Sequence, residues 1–403
     1  MSQPAAGDTP VVEPAWRRIG AAVVILLASA TSGISFGVVG PVLRPIAAQI
    51  GDERISQIII VMPLAGLALG GLVGGWIAEW LRARRAICVG GLAFALAGAA
   101  ALAPPSAPGL LTICFCIGFA AAIIGIGRGL LLAELYAGDA RARMIGFASA
   151  FGSLLAAGSV WLSGVIADQA GWQSAFLQFT AVGAIIVVCV LVAVRGGAGS
   201  QERGARTDYR LLAPVLPIFL AGGLLMLVLT TTNTHIPLLL AEQGITSTAE
   251  TSSVMSMQGL FSMLAALGYG ALQARLGKVG VAAIGIVLLA VGNGLAAVAE
   301  TPLAFGAACA FLGMACGAIV PCLIDLLLGL AAPAVRARAL GFYAAAFNVG
   351  GFLNPFIMRP IRDAVGLQGL YMVIAVSCAV IGGAYVLGGA ARARRAALAR
   401  TAH

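Results

Sequence analysis

Between residues 19 and 390 the chain is a succession of uninterrupted apolar stretches, each about twenty residues long, parted by short polar joints. Wound as a helix, one stretch rises about 30 Å, the thickness of a bilayer's hydrocarbon core. The stretches lie near 19–43, 55–78, 84–103, 109–135, 143–167, 173–194, 211–237, 249–273, 279–299, 303–328, 337–358 and 367–390. They are continuous rather than alternating, which argues against a transmembrane barrel, whose strands alternate over about ten positions. Composition closes the soluble alternatives. Of 403 residues, 61% are apolar and 10% charged, where a soluble domain carries about 25% charged residues. Polar surface is too scarce to coat a water-soluble globule of this length. A soluble enzyme, a nucleic-acid-binding domain and a disordered chain are therefore poor readings. The sequence predicts an all-α polytopic membrane protein with twelve transmembrane helices.

The joints carry the topology. Lys and Arg number 24 against 15 Asp and Glu, a net charge of +9. Nineteen of those cations lie before the first stretch, after each even-numbered stretch, or after the last. Arg44, Arg54, Arg359 and Arg362 lie on the other side, and Arg128 lies inside a stretch. Cations accumulate in cytoplasmic loops, so both ends of the chain are expected in the cytoplasm and the number of spans is even. This accounts for the positive charge without a nucleic-acid partner. The longest internal polar stretch, Arg195 to Arg210, divides six runs from six and reads as a linker. The expected organisation is a cytoplasmic tail at 1–18, a six-helix bundle at 19–194, a cytoplasmic linker at 195–210, a second bundle at 211–390 and a tail at 391–403. Trp16-Arg17-Arg18 followed by Ala28-Ser29-Ala30 imitates a cleavable signal peptide, but the apolar run continues to Val42, too long for one. The eight cysteines all fall inside apolar runs without a CxxC pair, and His235 and His403 are the only histidines. No metal site or cofactor is expected from this set.

The two halves match at a fixed offset of 195 residues. Arg141 and Arg143 meet Arg336 and Arg338; Asp168, Gly171 and Gln173 meet Asp363, Gly366 and Gln368; Cys114 and Gly118 meet Cys309 and Gly313. Six spans per copy put the copies in the same orientation, a parallel duplication about an axis along the membrane normal.

Between the second and third stretches the chain reads Gly75-Trp76-Ile77-Ala78-Glu79-Trp80-Leu81-Arg82-Ala83-Arg84-Arg85. At the repeat offset it reads Gly270-Ala271-Leu272-Gln273-Ala274-Arg275-Leu276-Gly277-Lys278. Both resemble the Gly-x-Leu-Ala-Asp-Arg-x-Gly-Arg-Arg loop of the major facilitator superfamily. With a parallel 6+6 duplication, the resemblance spans about residues 15 to 392. It implies two six-helix bundles, alternating access, and a conformational role for Gly75, Glu79, Arg82, Arg84, Arg85, Gly270, Arg275, Gly277 and Lys278. The second copy lacks the acid. The family's span-4 Arg and Gln are replaced by Cys114 and Ile117, and the Gly-Pro of drug antiporters by Gly158-Ser159, which weakens a drug-efflux reading. Glu134 and Arg141, with Arg143, Arg336 and Arg338, form the loops after spans 4 and 10, and Glu134 to Arg141 has the spacing sugar porters show there.

Charges inside the membrane are costly and tend to face a cavity or a partner. Arg128 on span 4 and Asp325 on span 10 are the substrate or gate candidates; lying at similar depth, they suggest a salt bridge closing the inner end. In the family, spans 1, 4, 7 and 10 line the cavity. That makes Ser32, Ser35, Thr231, Asn233, Thr234 and His235 lining candidates, with Gln258, Ser262, Asn348 and Asn354 on spans 8 and 11. The alternative for His235 is a water-exposed cap at the outer end of span 7. The expected activity is secondary transport of a small organic solute across a bacterial cytoplasmic membrane. Arg128 favours an anion, and Asp325 or His235 would carry a coupling proton. No GxxxxGK[ST] loop is present, so ATP drive is not expected. Export of drugs or metabolites by proton antiport is the rival within transport. A non-transporting membrane sensor is the rival outside it, but it would need an output domain for which the tails are too short. Paired acids and His clusters that an intramembrane enzyme would need are missing. The expected partners are a small-molecule substrate, the lipid bilayer and H+, with no nucleic acid, and the protein is expected to be a monomer.

Overall fold

Each apolar stretch is helical over most of its length in the computed structural model. The structure describes residues 15–103, 106–136, 138–194, 209–332 and 335–401, apart from the side chains of 15, 18, 75–80, 138, 139, 141–143, 209, 337 and 385–401. The helices are α1 (Ala15–Gly37), α2 (Leu43–Ile50), α3 (Glu53–Trp80), α4 (Ala83–Ala100), α5 (Ala107–Leu135) and α6 (Gly138–Ala170). They continue with α7 (Leu177–Ala193), α8 (Leu216–Glu242), α9 (Thr248–Val298), α10 (Pro302–Leu330), α11 (Arg336–Phe352) and α12 (Asn354–Thr401). Among the described residues, ten helical segments are long and apolar enough to cross a membrane. Two of them, Thr248–Val298 and Arg338–Ala384, are 51 and 47 residues long, more than twice the roughly 20 residues one crossing needs. Each is broken by one glycine in the left-handed region, Gly277 at φ 67° and Gly366 at φ 78°, a conformation costly for any residue with a Cβ.

The ends of these helices follow from local chemistry. Ser106, Ser247 and Thr301 cap α5, α9 and α10, each accepting from the backbone N–H three residues on, which satisfies one of the orphan donors of a first turn. Pro108 and Pro302 stand within the first two positions of α5 and α10, where a missing N–H costs nothing.

The sequence repeat is also a repeat of contacts. The bounds of α5 and α10 differ by the repeat offset at both ends. A Cβ on Gly118 would overlap the carbonyl of Pro63, and one on Gly313 would overlap that of Gln258. Likewise Gly90 meets Ile124 and Gly285 meets Ile319. Without a hydrophobic drive between helices inside lipid, small residues that let backbones touch supply the packing. Outward-facing side chains stay apolar: Val188, Val192, Leu92, Leu96, Leu220 and Leu224 are each more than half exposed, a surface suited to acyl chains rather than water.

Candidate functional site

A cavity of about 190 Å³ opens between the two copies of the repeat. Gly33, Phe36 and Gly37 of α1 and Ala156, Ala157 and Val160 of α6 form one wall. Across from them stand Met226, Leu229 and Asn233 of α8, Met255, Ser256, Gln258, Gly259 and Ser262 of α9, Cys316 of α10 and Phe347 of α11. The polar groups all come from the second copy, and none of the lining residues is charged. Phe36 and Phe347 supply an aromatic ring from each copy. Asn233 sits four residues before Pro237, which lies inside α8. Proline has no N–H, so the Asn233 carbonyl lacks its helical partner beside the cavity. Asn233 and Met255 also close over Gly40, where a Cβ would lie 2.8 Å from Asn233 Oδ1 and 2.7 Å from Met255 Cε.

Of the cavity candidates read from the sequence, Asn233, Gln258 and Ser262 line the cavity. Ser32 is exposed, Ser35 is buried and donates to the carbonyl of Ser32, and Asn348 donates to that of Ala344. Thr231, Thr234, His235 and Asn354 instead form a buried network. Asn354, the first residue of α12, donates to Thr231 Oγ1 at 2.9 Å and to the Leu227 carbonyl at 2.8 Å. Thr234 donates to Asn354 Oδ1 at 2.9 Å, and Tyr371 donates to the Thr231 carbonyl at 3.1 Å. The Thr234 hydroxyl also lies 2.7 Å from His235 Nδ1. His235 is 0% exposed and its Nε2 has no partner, so it is not a water-exposed cap. Phe36, Phe347, Cys316 and Ser256 had no signal in the sequence, because apolar and small residues on membrane helices look alike whether they face a cavity or a neighbour.

The charged candidates do not pair with each other. Asp325 of α10 takes Lys278 Nζ at 2.8 Å and Gln273 Nε2 at 2.8 Å, both from α9. α9 and α10 pack along each other in the same copy, which explains why Lys278 reaches Asp325. Arg128 is half-buried, its Nε is enclosed without a partner, and it does not line the cavity. In the first loop motif, Arg84 donates to the Leu191 carbonyl at 3.3 Å, and Arg82 and Arg85 are exposed. The side chains of Gly75 and Glu79, and of Arg141 and Arg143, lie outside the described residues. In the second, Gly277 makes the break in α9, Lys278 holds Asp325, and Gly270 and Arg275 are exposed. Glu134 is exposed, Arg338 is half-buried, and Arg336 donates to the Ala331 carbonyl at 3.2 Å.

Among the described residues, the polar contacts between the copies gather at one end. There Arg362 of α12 pairs with Glu53 of α3, and Arg44 of α2 donates to the Thr246 carbonyl at 3.2 Å. Along α6 and α9 the helices touch closely: a Cβ on Gly164 would overlap Ser252 and Thr248, and Gly259 meets Ala157. Ser252 donates to the Trp161 carbonyl at 3.0 Å. Toward the other end nothing lies within 4 Å of a Cβ built on Gly146 of α6 or on Gly268 and Gly270 of α9.

The family model described as Major Facilitator Superfamily matches residues 25–355 and 218–401. No curated protein sequence matches the chain. Among solved structures, a point mutant of the nucleoside transporter NupG aligns with a TM-score of 0.73 at 17% identity, over 92% of this chain and 99% of that one. NupG itself aligns at 0.72 and 16%, over 92% and 98%. At such identity the likeness is one of fold.

Proposed function

The chain belongs to the Major Facilitator Superfamily and is a multi-pass membrane transporter rather than an enzyme, and from that premise we propose that it carries a small, uncharged, polar solute of the nucleoside class by alternating access. The observation that carries this reading is the cavity: amides and hydroxyls on one side, two aromatic rings, and no charge. A charged solute would leave its ionic shell for a wall that cannot replace it. A solute with a flat ring and several hydroxyls finds rings to stack on and Asn233, Gln258, Ser256 and Ser262 to bond. The cavity volume lies below the roughly 300–1,000 Å³ of drug-sized sites, which suits a small solute. The nucleoside transporter with the same fold points the same way. The anion suggested by Arg128 loses its ground, since Arg128 is not on the cavity wall.

The two longest segments each count as two crossings, Thr248–Val298 about Gly277 and Arg338–Ala384 about Gly366, raising ten crossings to twelve in a 6+6 arrangement. The cation-rich joints support both termini on the cytoplasmic side of a bacterial inner membrane, with the closed end facing outward. All the residues that line the cavity come from a single chain, which supports a monomer as the working unit. Asp325, 39% exposed, is the proton carrier.

The test is thermal shift and binding on the purified chain with uridine, adenosine and a panel of organic anions at two pH values. Nucleosides should stabilise it, by about 2.7 kcal/mol at a hundred times the dissociation constant. Asn233→Ala and Gln258→Ala should each weaken binding about tenfold. Stabilisation by anions and not by nucleosides would overturn the reading.

A further inference from the structure

Asp168 and Asp363 are mates in the sequence repeat, yet only one of them reaches across to the other copy. Asp363 is engaged within its own helix by Arg362 at 3.0 Å and by Arg359 at 3.5 Å. Asp168, at the end of α6, accepts from the backbone N–H of Thr248 at 3.0 Å and of Ala249 at 2.9 Å, and from the Ser247 hydroxyl at 2.8 Å. These are first-turn groups of α9. The first-turn amides are then fully distributed: Thr248 and Ala249 go to Asp168, Glu250 goes to Ser247 Oγ, and Thr251 goes to the Ser247 carbonyl. A helix leaves its first donors unpaired and carries partial positive charge there. Here half of that requirement is met by a carboxylate from the other copy, so the N-terminus of α9 is completely capped only while the copies touch.

The carboxylate is held in place by its own surroundings. α6 stops at Gly171, whose φ is 84°, and Trp172 next to it donates to Gln49 of α2 at 2.9 Å. One turn before Asp168, Gly164 lets α6 lie directly on α9.

We propose that Asp168 is the positioning residue that sets the resting conformation of the transporter, by clasping the N-terminus of α9 across the two copies and so holding the outer end shut. This rests on the alternating-access reading above. A clasp of charge on helix amides suits a contact made and broken in every cycle. When the copies part, the exposed carboxylate and the two amides pass to water, and no ion is left buried without a partner.

The test is hydrogen–deuterium exchange of the full chain in lipid nanodiscs, without solute, comparing wild type with Asp168→Asn, Asp168→Ala and Asp168→Glu. Exchange should rise about tenfold in both Asn and Ala variants, at residues 248–252 and also at 43–56 and 354–365, which Asp168 does not touch. Glu, keeping the charge, should restore part of the protection. Faster exchange at 248–252 alone, or no change, would overturn the proposal and leave Asp168 a local cap. The readout uses no solute, so it stands if nucleosides fail to bind, and nucleoside binding by a wild type whose variants exchange normally would sink the clasp alone.

Discussion

Asp325 and His235 can both carry a proton, and their surroundings separate them. His235 is wholly enclosed, bonded through Nδ1 to Thr234, with an orphan Nε2. Charging it would bury a cation with nothing bonded to Nε2, an expensive state. Asp325 is 39% exposed and shares its carboxylate with Lys278 and Gln273, so water and a competing cation are both at hand. Asp325→Asn is therefore expected to abolish accumulation of solute against its gradient while leaving solute exchange in proteoliposomes. His235→Gln is expected to leave the pH profile of uptake between about pH 5.5 and 7.5 unaltered. Uptake with and without an imposed pH gradient measures both, and a profile flattened by His235→Gln would reverse the assignment. Which of the two charges Asp325 would meet was not legible in the sequence. Depth along a helix placed it level with Arg128. The choice of Lys278 instead comes from the packing of α9 on α10, which no spacing within either helix encodes.

At the level of elements, the glycines divide into contacts and free surface. Gly118 and Gly313 bring helix backbones together at matched places in the two copies, against Pro63 and Gln258. Nothing lies within 4 Å of a Cβ on Gly268. Gly118→Ala and Gly313→Ala should each destabilise the protein by about 1–3 kcal/mol through overpacking. Gly268→Ala should be neutral or stabilise it by up to about 1 kcal/mol, since alanine is the better helix former. Thermal unfolding of the purified variants compares them; equal melting for Gly118→Ala and Gly268→Ala would contradict the close approach. The long helices were legible because twenty-residue apolar runs have few alternatives. The eight-residue α2 was not, because Arg44 and Pro45 interrupt a segment too short for its periodicity to stand out. Nor was the turn at Leu353 between α11 and α12, which lies within a single apolar run and turns on Asn354, whose side chain binds α8.

For the whole molecule, the repeat was readable as matched Arg, Asp, Gln and Cys at one offset, and the matched contacts of α3 with α5 and of α9 with α10 follow from it. The cavity was readable only in part, because it depends on which helix faces meet between the copies. Asn233, Gln258 and Ser262 announced themselves as polar groups in apolar helices, whereas Cys316 and the two phenylalanines did not. Cys316 nevertheless reports on the whole mechanism, because it is the one cysteine among the residues lining the cavity. With the seam of α6 and α9 closed at Gly164 and Ser252, a membrane-impermeant thiol reagent should reach it from one side of the membrane only. Labelling is expected to be at least about tenfold faster in inside-out than in right-side-out vesicles, a bias of roughly 1.4 kcal/mol between the two conformations. Cys316→Ser gives the background from the exposed Cys116. Gly164→Leu drives a side chain into the seam where even a Cβ would overlap Thr248 and Ser252, so the outer end cannot close. That variant should reverse the sidedness of labelling, keep solute binding from outside and lose transport. Equal labelling from both sides in the wild type, or sidedness unchanged by Gly164→Leu, would show that this seam is not the outer barrier.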